Sequence, residues 1–456
     1  MCARDPQNGT RQPNHTNTGQ GCGAPLQVER TRTSLAKLAH RGSLRSLVRR
    51  CCSDAREEQC DGARGRLAGR EASEPGSQFE EGRLPAQRTG LVERNSFIMT
   101  DWSQEDVLAA KGERSSSGGW KFTNADSVKR QRDIAFGFAM SLPKQFLEGK
   151  DLVNVSLPVA LFEARSFLER ITDNWCHMGL MRKASSLKNP LDRLKLVIAF
   201  AYSGLCNTCR PRKPFNPILG ETYQGRYSSG EMVFCEQASH HPPISLYNIQ
   251  TPDGSFSIHG SCGWTGSFRG NSIRGHQTGQ NKVTFADGEE IEWNLPYLWL
   301  HGIAMGDRVM NYEGPMTFVD VKNGLFCNLV LNPDNAGGGV IKSIGAGLGR
   351  LFGAAKKREA DFAIGEIYAI SREWDGTGLP TPAGEALAVV EGCWLENLDI
   401  DGKRLWTNDG SEPRLTPEPI QNPLPSDCRF REDLQALKQP GDSIAKAQEM
   451  KEVSEF

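Results

Sequence analysis

Three Asp-Gly or Asn-Gly pairs punctuate a long run of β-forming residues, and they restrict the fold more than any other feature of the chain. Asp253-Gly254, Asp287-Gly288 and Asn323-Gly324 fall between short strand-like runs within residues 221–331. Such dipeptides supply the positive φ angles of tight hairpin turns, so each predicts an antiparallel pair. The clearest is Met316–Val321, returning as Leu325–Leu331 around Asn323-Gly324. Two more strand-like runs follow, Ile364–Ile370 and Ala386–Leu395. Many short strands with regular turns read as a barrel or a sandwich. Residues 157–205 carry a helical pattern instead, through Phe167, Leu168, Ile171, Trp175, Leu191, Leu194, Val197 and Ile198. Asp433–Glu455 also has helical composition, broken at Pro440-Gly441. The fold class is therefore α+β, mainly antiparallel β.

Residues 1–98 differ in character. They are rich in Arg, Gly, Gln and Ser with few aromatics, a composition that cannot bury enough apolar surface to offset chain entropy. We expect a disordered low-complexity extension there, with Met99 as the start of the native protein. The segment lacks the apolar core of a secretory signal, and Asp54, Glu57, Glu58 and Asp61 argue against an organelle transit peptide. Lys and Arg total 54 against 55 Asp and Glu, a net charge of −1, which gives no global electrostatic case for nucleic acid. Nowhere does an apolar run reach the about 18 residues that cross a bilayer; Leu194–Cys206 reads as a buried helix. The 13 cysteines are an odd number and do not form a disulfide framework. Cys206 and Cys209 make a lone C-x-x-C, for which a structural zinc site would need a second pair or matching histidines. The reducing cytosol is the simplest compartment.

Glu236-Gln237-Ala238-Ser239-His240-His241-Pro242-Pro243 is the strongest chemical signal. Each proline fixes its own φ and biases the preceding residue toward extended backbone, so the polar side chains are aimed. In an extended segment His240 and His241 point to opposite sides and are poorly placed to share a metal. They suit donation of N–H groups to a large polyanion such as a phosphate. The plain alternative is a pair of surface or satisfied core histidines.

The octapeptide resembles the signature of the oxysterol-binding protein-related family of lipid-transfer proteins. Lys213-Pro214-Phe215-Asn216-Pro217-Ile218-Leu219-Gly220-Glu221-Thr222-Tyr223 resembles that family's second signature. Ser156-Leu157-Pro158 and Arg165-Ser166-Phe167-Leu168-Glu169-Arg170 resemble the opening of its lipid-binding domain, and Pro425-Ser426-Asp427-Cys428-Arg429-Phe430-Arg431-Glu432-Asp433-Leu434 its closing segment. The matches run in order over roughly residues 120–456, and we assign residues 119–456 to one lipid-binding domain. The resemblance implies a large near-closed antiparallel β-barrel around an apolar lipid tunnel, with an N-terminal lid and flanking helices. It implies one lipid at a time, phosphatidylinositol 4-phosphate competing with a sterol or phosphatidylserine. It gives Lys213, Asn216, His240 and His241 the headgroup. From the C-terminal helix it adds Lys451 and Glu455, four residues apart on one face; the family's third member, an Arg, would fall beyond Phe456. The opening segment, with Trp120, Phe136 and Phe138 among basic residues, matches the lid by position.

Gly337–Arg358 is less typical of that family. Val340, Ile341, Ile344, Leu348, Leu351, Phe352 and Ala355 fall near one helical face, followed by Lys356-Lys357-Arg358. Such a stripe could fold on an anionic membrane surface through Ile344, Leu348, Leu351, Phe352, Lys356 and Lys357. A mobile insertion loop and a packed core helix are the alternatives. The glycine spacing is not a dinucleotide fingerprint.

Together these readings describe a carrier with no catalytic residues and no cofactor. It would act as a monomer in the cytoplasm, peripheral on intracellular membranes, exchanging lipids between them. A phosphoinositide or sterol sensor without net transfer is the alternative. A hydrolase using His240 or His241 would need a nucleophile or metal with an oxyanion site, and the sequence signals neither. With no other module recognisable, the chain looks like a short family member made of the lipid-binding domain alone. Barrel register, and hence the second cargo, is not legible.

Overall fold

The computed structural model describes residues 101–141, 156–335, 358–439 and 443–454. Two units divide the chain, Met1–Leu91 and Val92–Phe456. The second unit begins with α1 (Asp101–Ala109), a hairpin of β1 (Gly112–Arg114) and β2 (Trp120–Phe122), and α2 (Ala125–Ser141). The sequence reading assigns residues 99–118 to neither segment; from Asp101 they form elements of this unit, since β2 pairs with the long strand at 309–320. Next come β3 (Phe162–Ser166), α3 (Phe167–Arg170), α4 (Met178–Ser186), α5 (Pro190–Ser203) and β4 (Lys213–Phe215).

The sheet strands then run in order: β5 (Thr222–Arg226), β6 (Met232–Ser239), β7 (Ile244–Gln250), β8 (Phe256–Arg269), β9 (Ser272–Thr278), β10 (Asn281–Phe285), β11 (Glu290–Trp293), β12 (Tyr297–His301), β13 (Val309–Asp320), β14 (Leu325–Leu331), β15 (Phe362–Ala369), β16 (Ala388–Cys393), β17 (Asn397–Ile400), β18 (Lys403–Thr407) and β19 (Glu418–Pro419). The helices α6 (Glu432–Leu437) and α7 (Ser443–Ser454) close the described chain. Adjacent strands pair antiparallel along β19–β5–β6–β7–β8–β10–β11–β13–β14–β15–β16–β17–β18. Two long strands change partners along their length. β8 leaves β10 and β7 for β9, while β13 leaves β12 for β14, so β9 and β12 bridge a second path between them. The result is a near-closed antiparallel barrel; among the described residues β18 has a register only with β17, and β19 only with β5. Helix α5 packs against β17 and β18.

Local chemistry explains these elements. Gly254, Gly288 and Gly324 sit at φ +68°, +76° and +65° in the three expected hairpins, and Asp320 pairs with Leu325 across the last one. Helix α5 starts at Pro190, with the Asn189 side chain accepting the Asp192 N–H at 3.2 Å. Val197 to Ser203 are all buried, as expected of a helix apolar on most sides. None of the described helices is long and apolar enough to cross a membrane. The helical pattern read over 157–205 holds for α3, α4 and α5 but not for Phe162–Ser166, which is a strand parallel to β4. Tertiary pairing overrides the local pattern there: Phe162 opposes Lys213 in the register and its ring packs on Phe215 at 5.0 Å.

Candidate functional site

The β3–β4 pair carries a satellite core of Val159, Phe162, Ala164, Phe215, Leu434, Leu437 and Ala447. It holds α6 against β3 and α7 against α6 and residues 159–161, and the Gln448 side chain accepts the Val159 N–H at 2.7 Å. That docking brings Lys451 to Lys213. Both ammoniums lie 5.3 Å from the centroid of the Phe162 ring, within cation–π range. Lys213 donates to Asn216 Oδ1 at 2.7 Å, and Lys451, 0% exposed, donates to Ser156 Oγ at 2.8 Å. The structure therefore gathers three of the sequence-predicted residues, Lys213, Asn216 and Lys451, around one aromatic ring. Glu455 lies outside the described residues.

Sequence reasoning gave no role to the charges that build this corner. Buried Arg431 donates to Asn216 O at 2.7 Å, Glu221 Oε2 at 2.8 Å and Asp433 Oδ2 at 2.6 Å, with its guanidinium 5.6 Å from the Phe215 ring. Glu221 also accepts the Ile218 N–H at 2.9 Å and the Ser166 hydroxyl. Burial raises the Glu221 carboxyl above its usual range, against the pull of Arg431. Beside Lys213, Arg212 donates to Asp106 at 2.8 Å and Glu105 at 3.0 Å of α1. Asp106 also accepts the Ala164 N–H at 2.8 Å, yet burial pushes it up to about 6. Glu221 and Arg431 both stand inside the signature strips; what the sequence lacks is their pairing across 210 positions.

The two histidines occupy the turn from β6 to β7, not an extended run. Their rings meet edge to face with centroids 4.6 Å apart, so the expectation that they point to opposite sides is corrected. A hairpin that must reverse between Ser239 and Ile244 cannot keep successive side chains alternating. His241 is exposed; His240 is half-buried, and its Nδ1 has no hydrogen-bond partner among the described residues. The His241-Pro242 peptide is cis. This turn is tied to the lysine corner through the backbone, since Gln237 N donates to Glu221 O and Gly220 N to Gln237 O, each at 2.9 Å.

Of the residues expected in a lid, Trp120 lies in β2, paired with Met310 of β13, and donates its indole N–H to Ala110 O at 3.3 Å. Phe136 and Phe138 lie on α2, Phe136 being 68% exposed. A cleft of about 690 Å³ runs between α2 and residues 303–308. The membrane stripe, Ile344, Leu348, Leu351, Phe352, Lys356 and Lys357, lies outside the described residues.

The sequence profile described as oxysterol-binding protein matches residues 142–346. Oxysterol-binding protein 9 of Dictyostelium discoideum is 36% identical over 342 residues, spanning 73% of this chain and 76% of that protein. The human oxysterol-binding protein-related protein 1 is 35% identical over 188 residues, 41% of this chain but 20% of that longer protein. Among solved structures, the Osh3 ORD of Saccharomyces cerevisiae, crystallised with PI(4)P, superposes with a TM-score of 0.50 at 19% identity, covering 75% of this chain and 84% of that one. The Osh1 ORD domain with ergosterol matches with the same score at 20% identity, covering 73% and 86%. These two likenesses establish the fold. Extended identity to the Dictyostelium protein, with the profile match, establishes that this chain belongs to the oxysterol-binding protein family.

Proposed function

We propose that the protein is a lipid carrier that extracts phosphatidylinositol 4-phosphate and exchanges it for a sterol or phosphatidylserine between membranes. The observation that carries this reading is the convergence of Lys213, Asn216 and Lys451 at Phe162, beside the His240–His241 turn. A phosphorylated inositol needs several charge-assisted donors from different directions, and two ammoniums, an amide and two imidazoles supply them. Bound phosphate would favour the imidazolium forms. The barrel would hold the acyl chains or the sterol, with α2 as its lid; a closed lid excludes water and retains cargo. Solved relatives in this fold carry PI(4)P, ergosterol and cholesterol. We assign the carrier role to residues 119–456 and no function to residues 1–98. We read the protein as a monomer without catalytic residues, cytoplasmic and peripheral on intracellular membranes, with the basic apolar stripe at 337–358 touching anionic lipid.

Transfer between two vesicle populations tests the reading. The full chain should move phosphatidylinositol 4-phosphate from donor to acceptor, and faster when acceptors carry the exchanged lipid. His240→Ala/His241→Ala should abolish transfer while leaving the thermal transition in place. Binding without net transfer would make the protein a sensor, and unchanged transfer in the variant would remove the histidines from the site.

A further inference from the structure

Four arginines are buried among the described residues, and three of them face carboxylates. Arg193 pairs with Glu289 and Asp287, Arg212 with Asp106 and Glu105, and Arg431 with Glu221 and Asp433. Arg308 is 4% exposed, yet among the described residues it donates only to neutral acceptors: Gly302 O at 3.2 Å, Gln131 Oε1 at 3.2 Å and Ile303 O at 3.4 Å. The adjoining carboxylate, Asp307, is engaged by Lys121 at 3.0 Å. A second guanidinium reaches the same loop from α2. Arg132 donates to Gly302 O at 3.0 Å and to Gly306 O, and it too has no carboxylate partner among the described residues. Burial, then the Arg132 charge, hold Arg308 down to about 10, so it remains protonated at neutral pH. A buried charge without a counter-ion is costly, and proteins keep one mainly where it is paired or meets a ligand.

Both arginines line the cleft of about 690 Å³ beneath α2, a volume within the range of about 300–1,000 Å³ common for small-ligand sites. Its apolar wall is formed by Phe122, Val128, Phe136, Phe268 and Ile303. Glu113, Asp133 and Asp307 also line it, all three exposed, together with exposed Lys129 and with Lys121, which pairs with Asp307. Met305, 69% exposed, extends the apolar surface outward from the same loop. Two guanidiniums without a carboxylate partner among the described residues, set beside a hydrophobic wall, suit neither a free inorganic anion nor a neutral lipid.

We infer that this cleft is a second ligand site, for an amphiphile with a single anionic head such as a long-chain carboxylate, its head at Arg132 and Arg308 and its chain along Phe122, Phe136 and Phe268. It shares no residue with the Lys213–Lys451 corner or the histidine turn, but it shares α2 and Phe136 with the lid of the proposed carrier.

Calorimetric titration of the full-length protein with oleate, below its micelle concentration, tests this. Oleate should bind, oleyl alcohol should bind at least about tenfold more weakly, and millimolar inorganic phosphate should not displace oleate. Arg132→Gln should weaken oleate at least about tenfold without moving the thermal midpoint, a charge-assisted contact having been lost. Arg308→Gln should do the same, but its buried side chain also braces residues 302–303, so the half-exposed Arg132 decides the matter. His240→Ala/His241→Ala should bind oleate as the wild type does. The site is overturned by absent oleate binding, by equal affinity for oleate and oleyl alcohol, by unchanged affinity in Arg132→Gln, by displacement with phosphate, or by loss of oleate in the histidine variant.

Discussion

The lysine corner at Phe162 and the arginine cleft beneath α2 bury cations by opposite means. In the corner, every buried guanidinium is neutralised: Arg431 by Glu221 and Asp433, Arg212 by Asp106 and Glu105. That paired lattice fixes the backbone on which Lys213, Asn216 and Lys451 are mounted. In the cleft, Arg132 and Arg308 are held by carbonyls of residues 302–306 and by the Gln131 amide, all neutral. The difference separates two tasks. Carboxylate-paired arginines build a scaffold, whereas cations held by neutral groups keep their charge available for a ligand.

Substitutions can break or sharpen that contrast. The largest stability loss should come from Phe162→Ala, at about 4 kcal/mol, because the ring is fully buried between Phe215 and two ammoniums. Chemical denaturation measures it; a loss under about 1 kcal/mol would mean the ring organises nothing. Glu221→Ala should cost about 3 kcal/mol by leaving Arg431 half-compensated and the Ile218 N–H unpaired. A near-neutral outcome would erase the distinction between scaffold and ligand cations.

His177 shows a third solution, burial in the neutral form. It is 1% exposed and lies 2.9 Å from Ser203 Oγ; burial, and secondarily Arg414, lower its pKa to about 4. The unfolded chain binds the proton below about 6.5, so this group's contribution is complete above that pH and fades as pH falls toward 4. His177→Gln should remove roughly 2 kcal/mol from the acid-induced stability loss over that window, read from denaturation midpoints at several pH values. An unchanged pH profile would contradict neutral burial. Gly324→Ala gives the scale of a purely local effect. Nothing lies within 4 Å of the added Cβ, so only the φ of +65° matters, at about 1 kcal/mol. Smallest of all in stability is Lys451→Met, expected within about 1 kcal/mol of wild type, because its hydroxyl partner, Ser156, is exposed and an apolar chain of similar size can fill the space.

Much of the barrel is legible in the sequence because hairpins are local. Asp253-Gly254, Asp287-Gly288 and Asn323-Gly324 each specify a turn through one glycine, and strand alternation does the rest. Phe162–Ser166 escapes such reading because its partner, Lys213–Phe215, lies some fifty positions away and no local periodicity encodes a short parallel pair. Likewise the histidine turn reads as extended, since the prolines bias backbone angles but do not reveal that the chain reverses there. Family resemblance is what singles out Lys213, Asn216 and Lys451 as proposed headgroup ligands. Their meeting over Phe162, and the Arg431–Glu221 pair beneath, belong to tertiary geometry. Arg308 gives no signal at all: an arginine without a carboxylate is recognisable only once its neighbours are known.

Extraction of phosphatidylinositol 4-phosphate from liposomes by the wild type, set beside Lys451→Met, tests the central claim most directly. The account predicts a wild type that extracts the lipid and a variant that folds with the same midpoint but extracts at least about tenfold less, since a charge-assisted phosphate contact is lost. Equal extraction by a folded Lys451→Met protein would contradict it.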